Sequence, residues 1–164
     1  MPCELKLVSE KVSETKTAGR KLGGFLQKGS TVYLYGELGS GKTVFVKGMA
    51  SALGIPEKDI TSASFVLIAE HEGRLESGEK VPFYHIDLYR LPGVREAEAI
   101  GIEEYIDSDG VAVIEWADRL PEPGKGAIKV NINIVSGRER EIIIEAIYNE
   151  KDRHNHERGR SGRG

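Results

Sequence analysis

The sequence predicts an α/β fold of three layers, in which a mixed sheet has a parallel core that is extended by antiparallel strands. An apolar run, TVYLY (31–35), leads into the glycine-rich GELGSGKT (36–43), and a helical pattern follows, so that a strand, a tight loop and a helix succeed one another. The near-continuous apolar run GVAVIEW (110–116) is typical of a parallel strand that is buried on both faces. Alternating residues in 127–135 and 141–147 predict a closing antiparallel hairpin.

The elements before the loop are predicted to be an edge strand and a helix. The segment ELKLVS (4–9) alternates apolar and polar residues, which indicates the edge strand. We expect Ser13, followed by Glu14, to open the helix. Its predicted buried face comprises Ala18, Leu22, Phe25 and Leu26.

The elements after the loop begin with a helix over about 42–53, which Gly54 ends. The segment 60–73 begins as a polar loop and becomes a strand, and 82–91 is predicted to return as its antiparallel partner. Short helices are expected within 95–107.

The glycine-rich loop carries the Walker A pattern G-x-x-x-x-G-K-[ST], which Gly36, Gly41, Lys42 and Thr43 satisfy. Glycines let the backbone wrap closely and turn N–H groups inward, where they and the following helix N-terminus bind anionic oxygens. Lys42 is expected to reach the β- and γ-phosphates, and the Thr43 hydroxyl to bind Mg²⁺. We therefore predict a site for a nucleoside triphosphate with magnesium; the alternative is a turn that binds no ligand.

Two carboxylates at strand ends are candidates for the acidic residue that hydrolysis requires. Asp87 lies in FYHIDLYR, and Glu115 ends VAVIEW, so both fit a Walker B acid that follows an apolar strand and helps to hold Mg²⁺ or the attacking water. The structural alternative is that they cap strand ends or pair with Arg90 or Arg119.

Three further features near these residues have two interpretations each. His85 either relays a proton or is a hydrogen-bonded structural histidine, and the second is favoured. Trp116, the single tryptophan, either stacks on a base or a partner, or packs at the core or its rim. TSASF (61–65) is either a loop that senses the γ-phosphate or simply a polar loop.

The composition is that of an ordinary globular protein, with 39% hydrophobic and 30% charged residues in 164. The single cysteine, Cys3, cannot form an internal disulfide, and the first residues lack a signal-peptide pattern. No apolar run approaches the length of a membrane span, so we expect a cytoplasmic protein that has no membrane partner.

The C-terminal segment 151–164 differs in charge from the single domain predicted over 1–150. It carries five Lys/Arg and two Asp/Glu, a net charge of +3, whereas the preceding residues carry 18 and 24, a net charge of −6. Without any apolar residue, the tail is predicted to be disordered. It is either a basic arm that contacts RNA phosphates directly or, as we favour, a dispensable end.

The motifs occur in a recognisable order: YLYGELGSGKT, TSASF, FYHIDLYRL and GIEEYIDSDGVAVIEWADRLP. This order resembles the bacterial TsaE (YjeE) family, the ATPase component of tRNA threonylcarbamoyladenosine synthesis, from about Ser13 to Ile147. The resemblance implies a small P-loop ATPase that binds ATP and Mg²⁺ and acts with the TsaD–TsaB pair, which modifies adenosine 37 of tRNAs reading ANN codons. Contact with tRNA would then be indirect, through the complex.

The resemblance also implies roles for individual residues. Thr43 and Glu115 would hold Mg²⁺, Asp87 would support hydrolysis, and Trp116 would be a functional aromatic beside the nucleotide. The implied phosphate-binding residues are Leu38, Gly39, Ser40, Gly41, Lys42 and Thr43.

This chain departs from the family pattern at three places. The usual Ser-Pro-Thr-aromatic segment is here SASF (62–65), which lacks the proline and is expected to be less rigid. The usual alanine of the loop is Ser40, and the usual second threonine is Val44. Neither change removes a backbone phosphate donor.

A small-molecule or nucleoside kinase on the same fold is the alternative function, with Asp87 as the base. Such a kinase commonly carries an arginine-rich lid after the loop. The candidate segment PGVREAEAIGIEEYID contains one arginine, Arg95, among acids, which favours the ATPase. A nucleotide-sensing module without useful turnover is a third reading that the sequence leaves open.

Overall fold

A computed structural model of the chain describes residues 3–61 and 67–147 as one seven-stranded sheet with helices on both faces. The predictions for the SASF segment and for the 151–164 tail lie outside the described residues. The strands are β1 (Cys3–Ser9), β2 (Thr31–Tyr35), β3 (Ile68–Arg74), β4 (Lys80–Asp87), β5 (Val111–Glu115), β6 (Ile128–Ile134) and β7 (Arg140–Ala146). The α-helices are α1 (Val12–Gly23), α2 (Lys42–Ala52), α3 (Val94–Ala99) and α4 (Ile102–Ile106).

The sheet is mixed, in the order β1-β7-β6-β2-β5-β4-β3. Strand β2 pairs parallel with β5 and β6, and β4 pairs parallel with β5. Antiparallel pairs join β1 to β7, β6 to β7 and β3 to β4. The predicted parallel core with antiparallel extensions is therefore confirmed, and β1 lies at an edge as its alternating pattern predicts.

Two apolar clusters lie on opposite faces of the sheet and make the three layers. Alternate residues of β2 divide between them, because successive side chains of a strand point to opposite faces: Val32 and Leu34 pack with α1 and α2, and Tyr33 packs on the side of α3 and α4. All five residues of β5 are buried, which confirms the prediction of a strand covered on both faces.

Helix α1 begins one residue earlier than predicted and ends before part of its predicted buried face. The helix begins at Val12 rather than Ser13, and the Glu14 carboxylate accepts a hydrogen bond from the Glu10 N–H at 2.8 Å. The helix ends at Gly23, so its 3.6-residue period no longer directs Phe25 toward the core, and Phe25 is 79% exposed. Leu26 is buried after the turn.

Strand β4 is shifted relative to its predicted range of 82–91. It begins at Lys80 and ends at Asp87, whose Oδ1 accepts the N–H of Tyr89 at 3.0 Å. Such a side-chain-to-backbone bond two residues on is a turn-forming interaction, which explains the early end of the strand. The strand end therefore lies at the carboxylate itself.

The predicted short helices and the closing hairpin are confirmed by α3, α4, β6 and β7. Within the two described stretches, no helix has both the length and the apolar character that crossing a membrane requires.

Glycines set the distance between α1 and α2. A Cβ on Gly48 of α2 would overlap the carbonyl oxygen of Lys16, and a Cβ on Gly19 of α1 would overlap the carbonyl oxygen of Phe45. The two helix backbones therefore approach more closely than any larger residue permits, which holds α2, and with it the loop before it, against the sheet.

We predict that Gly48→Ala lowers the free energy of unfolding by about 1–3 kcal/mol, because the added methyl forces the helices apart. Gly24→Ala is the matched control: its added Cβ would meet only the Lys21 carbonyl oxygen, at 3.5 Å, and its change is expected to stay within about 1 kcal/mol. Urea denaturation of both variants checks this, and a Gly48→Ala protein as stable as the wild type would contradict it.

Candidate functional site

The glycine-rich loop lies between β2 and α2, at the edge where the parallel strands end. Gly41, immediately before α2, has φ +107°, a left-handed conformation that favours glycine. At Gly36 an added Cβ would meet Ser40 Oγ at 2.5 Å and the Ile132 carbonyl oxygen at 2.7 Å. The motif glycines are therefore required by the path of the backbone as well as by any ligand.

The ammonium group of Lys42 occupies the hollow of this loop. Its Nζ donates to the carbonyl oxygens of Gly36 and Glu37 at 2.7 and 2.9 Å, and lies 3.5 Å from Ser40 Oγ. The residue is 5% exposed, and desolvation lowers the pKa of Lys42. A buried cation whose hydrogen-bond partners are neutral oxygens is well suited to meet an anion.

The two candidate carboxylates end neighbouring strands and face α2. Asp87 and Glu115 are paired in the register of β4 and β5, and both are buried. Glu115 Oε1 accepts a hydrogen bond from Thr43 Oγ1 at 2.9 Å, which links β5 to the first turn of α2. The negative charges of both carboxylates raise the pKa of Lys42, in opposition to its desolvation. The structure thus brings together the Walker A lysine and threonine with both predicted acids.

His85 lies on β4 and contacts the other oxygen of Glu115. Its Nε2 is 2.5 Å from Glu115 Oε2, and its side chain is 3% exposed. When the Glu115 carboxylate is ionised it only accepts hydrogen bonds, and Nε2–H is then the donor. His85 is therefore hydrogen-bonded and buried, as the favoured interpretation predicts, but its partner was not foreseen from the sequence.

Arg119 pairs with Asp118 rather than with Glu115. Its Nη1 donates to Asp118 Oδ2 at 3.0 Å, and its guanidinium lies 5.6 Å from the centre of the Trp116 ring. The alternative in which Glu115 pairs with Arg119 is not realised: the partners of the Glu115 oxygens are Thr43 and His85.

Trp116 lies over the loop lysine. Lys42 Nζ is 4.0 Å from the centre of the indole ring, and the Tyr89 ring packs against it at 5.1 Å. The Trp116 backbone has φ +58°, alone among the non-glycine residues of the described chain. This uncommon conformation turns the ring of the residue after β5 back toward the loop.

Arg140 also contacts the loop, and sequence reasoning missed it. It follows the turn SGRE (136–139), where an arginine is typical of a solvated hairpin end. Its guanidinium instead donates to loop carbonyl groups. The contact between Arg140 and Ser40 joins residues that are 100 positions apart, so no local sequence pattern predicts it.

The donor set fits a magnesium–polyphosphate ligand. Mg²⁺ favours oxygen ligands and is usually bound by one or two carboxylates together with phosphate oxygens and water. Thr43 and Glu115 supply a hydroxyl and a carboxylate near the buried ammonium of Lys42, and Asp87 ends the adjacent strand. The helix N-terminus that follows the loop adds a site at which anions are stabilised.

A family model and individual relatives of this chain agree on one family. The family described as "Threonylcarbamoyl adenosine biosynthesis protein TsaE" matches residues 9–142. The tRNA threonylcarbamoyladenosine biosynthesis protein TsaE of Treponema pallidum is 38% identical over 141 residues, which cover 85% of this chain and 99% of that protein. The protein of the same name from Bacillus subtilis is 33% identical over 147 residues, covering 89% of this chain and 88% of that protein.

A solved structure supports the fold. The crystal structure of YdiB from Bacillus subtilis superposes with a TM-score of 0.68 at 32% sequence identity, and the match covers 98% of this chain and 97% of that one.

We predict that His85→Phe lowers the free energy of unfolding by about 1–3 kcal/mol, because it keeps the ring volume but leaves a buried carboxylate oxygen of Glu115 without its donor. His71→Phe is the matched control: His71 packs against Phe83 on the same face, and its Nε2 has no hydrogen-bond partner among the described residues, so its change should stay below about 0.5 kcal/mol. Equal losses in urea denaturation would contradict this prediction, as would an undiminished loss in a Glu115→Gln background.

Proposed function

The chain belongs to the TsaE family of threonylcarbamoyl adenosine biosynthesis proteins, and from this premise we propose that it binds and slowly hydrolyses ATP. It functions in the biosynthesis of tRNA threonylcarbamoyladenosine. The observation that carries the proposal is the hydrogen bond between Thr43 Oγ1 and Glu115 Oε1, since it joins the Walker A threonine to an acid at the end of a buried strand.

Binding of ATP rests on the loop and on Lys42. The amides of residues 38–43 and the start of α2 would receive the phosphate oxygens. Lys42 would exchange its bonds to the carbonyl oxygens of Gly36 and Glu37 for bonds to phosphate, which are stronger because both partners are charged. Thr43 and Glu115 would hold Mg²⁺, which neutralises charge on the phosphate oxygens when it is bound.

Asp87 is proposed as the residue that supports hydrolysis. It ends β4 directly beside Glu115 in the strand register, and its Oδ1 accepts the Tyr89 N–H, which restricts the carboxylate in orientation. From this position the carboxylate would orient the attacking water or complete the metal's outer shell. Trp116 would lie beside the bound nucleotide, since its ring is already over Lys42.

Partners are proposed from the family resemblance and from the contacts of two arginines near the loop. Arg119 forms an ion pair with Asp118, and Arg140 donates to loop carbonyl groups, so in this structure neither guanidinium is directed at the place proposed for the phosphates. A phosphoryl-transfer site gains from an arginine directed at the transferred phosphate, and an arginine supplied by another protein raises such rates by about 10³–10⁵. We therefore propose that the protein works in the cytoplasm with TsaD and TsaB, and meets tRNA through that complex.

We predict that one variant loses nucleotide binding and that a second variant loses ATP hydrolysis while it still binds the nucleotide. Lys42→Ala should weaken MgATP binding by about tenfold to a hundredfold, the value of one or more charge-assisted hydrogen bonds. Asp87→Asn should bind MgATP nearly as the wild type but hydrolyse it at least about tenfold more slowly, because the shape remains and the charge is lost.

Titration calorimetry and a phosphate-release assay check both values, with Arg74→Ala as the control from the far hairpin. Unchanged affinity in Lys42→Ala would contradict the phosphate-binding role of the loop. If Asp87→Asn hydrolyses ATP at the wild-type rate, Asp87 is structural and Glu115 carries the catalytic role.

We predict weak ATPase activity for the protein alone, and multiple rounds of tRNA threonylcarbamoylation when it is combined with TsaD and TsaB. Glu115→Ala should reduce these rounds by at least about tenfold, since the Thr43 contact and a metal ligand are lost together. Deletion of residues 151–164 should leave most of the activity. Phosphorylation of a metabolite by ATP, with no effect on tRNA modification, would instead identify a kinase.

A further inference from the structure

Arg140, at the start of β7, joins the β6–β7 hairpin to the phosphate-binding loop. Its Nε donates to the Ser40 carbonyl oxygen at 3.2 Å, and its Nη2 donates to the Gly39 carbonyl oxygen at 3.2 Å. These are main-chain contacts to the glycine-rich loop, made from a strand that follows the loop by about 100 residues in sequence.

The same guanidinium is anchored on its other side. Nη1 donates to the carbonyl oxygens of Ser136 and Glu139 in its own hairpin turn, at 2.9 and 3.1 Å. A guanidinium is planar and carries its five N–H groups in a fixed fork. One rigid group therefore links the hairpin turn to the loop, in addition to the β2–β6 strand pairing.

Holding a carbonyl group also directs the next amide. A trans peptide is planar, so the N–H of Gly41 points opposite to the Ser40 carbonyl oxygen. When Arg140 holds that oxygen, the Gly41 N–H is aimed away from the guanidinium. The Ser40 N–H is engaged within the loop by the Glu37 carbonyl oxygen at 3.0 Å, which closes a turn.

The loop has a specific need for such an anchor. Gly39 and Gly41 both have positive φ, and glycine loses more conformational freedom on ordering than any other residue. An unanchored loop would lose this conformational entropy when a phosphate binds, which would weaken binding. An anchored loop is already ordered and loses less.

We propose that Arg140 is a positioning residue, which orders the phosphate-binding loop before the nucleotide arrives by bridging the Gly39 and Ser40 carbonyl groups to the β6–β7 hairpin. The inference rests on the proposed nucleotide binding, but the ordering of the loop is a property of the free protein. It requires the forked geometry of the guanidinium and not only its positive charge.

The test compares Arg140→Lys and Arg140→Ala with Arg74→Lys and Arg74→Ala. Arg74 is a matched control, because its Nη1 donates to the Gly78 carbonyl oxygen in the β3–β4 hairpin and makes no contact with the loop among those described. Hydrogen exchange of the amides of residues 38–41 is followed by mass spectrometry without nucleotide, and MgADP affinity is measured by calorimetry.

Both Arg140 variants should show faster exchange in 38–41 and about tenfold weaker MgADP binding, and both Arg74 variants should match the wild type. Wild-type exchange in Arg140→Ala would overturn the inference, and so would full recovery of exchange and affinity in Arg140→Lys, since lysine keeps the charge without the fork. If Arg140→Ala does not fold, Arg140→Lys decides. If the wild type itself fails to bind MgADP, the proposed function is wrong, and the exchange measurement still decides the role of Arg140.

Discussion

The buried carboxylate of Glu115 hydrogen-bonds on one side to Thr43 and on the other to His85. An unpaired carboxylate in this position would be strongly unfavourable, because burial removes its hydration. Its two oxygens are satisfied by the first turn of α2 and by β4, so the charge is stable only when these elements are in register with β5. The need to satisfy the Glu115 carboxylate therefore also fixes the positions of the loop before α2 and of Asp87 at the end of β4.

Two opposing effects act on the pKa of Lys42. Desolvation lowers the pKa of its ammonium group, and Glu115 and Asp87 oppose that effect. In the free protein its hydrogen-bond partners are loop oxygens, and the Trp116 ring lies above it. These partners hold the lysine in the loop while leaving it able to gain from an incoming anion, since neutral oxygens bind an ammonium group less strongly than charged ones do.

Ser40 has a defined place in the glycine-rich loop. It is 1% exposed, its Oγ lies 3.5 Å from Lys42 Nζ, and its carbonyl oxygen accepts from Arg140. The hydroxyl also fills the space that a side chain at Gly36 would need. The serine at this position therefore adds a polar contact inside the loop, and glycine is still required at position 36.

The sequence alone determined the features that depend on neighbouring residues: the Walker A loop, the strand 111–115 buried on both faces, and the alternating strands of the hairpins. Periodicity and turn chemistry are local, so they can be read without knowing what packs nearby. It could not determine that Thr43 contacts Glu115, that His85 completes that contact, or that Arg140 holds the loop. Nor could periodicity show that α1 ends before Phe25. Those outcomes belong to the tertiary structure, because strand order and register decide which distant side chains share a face.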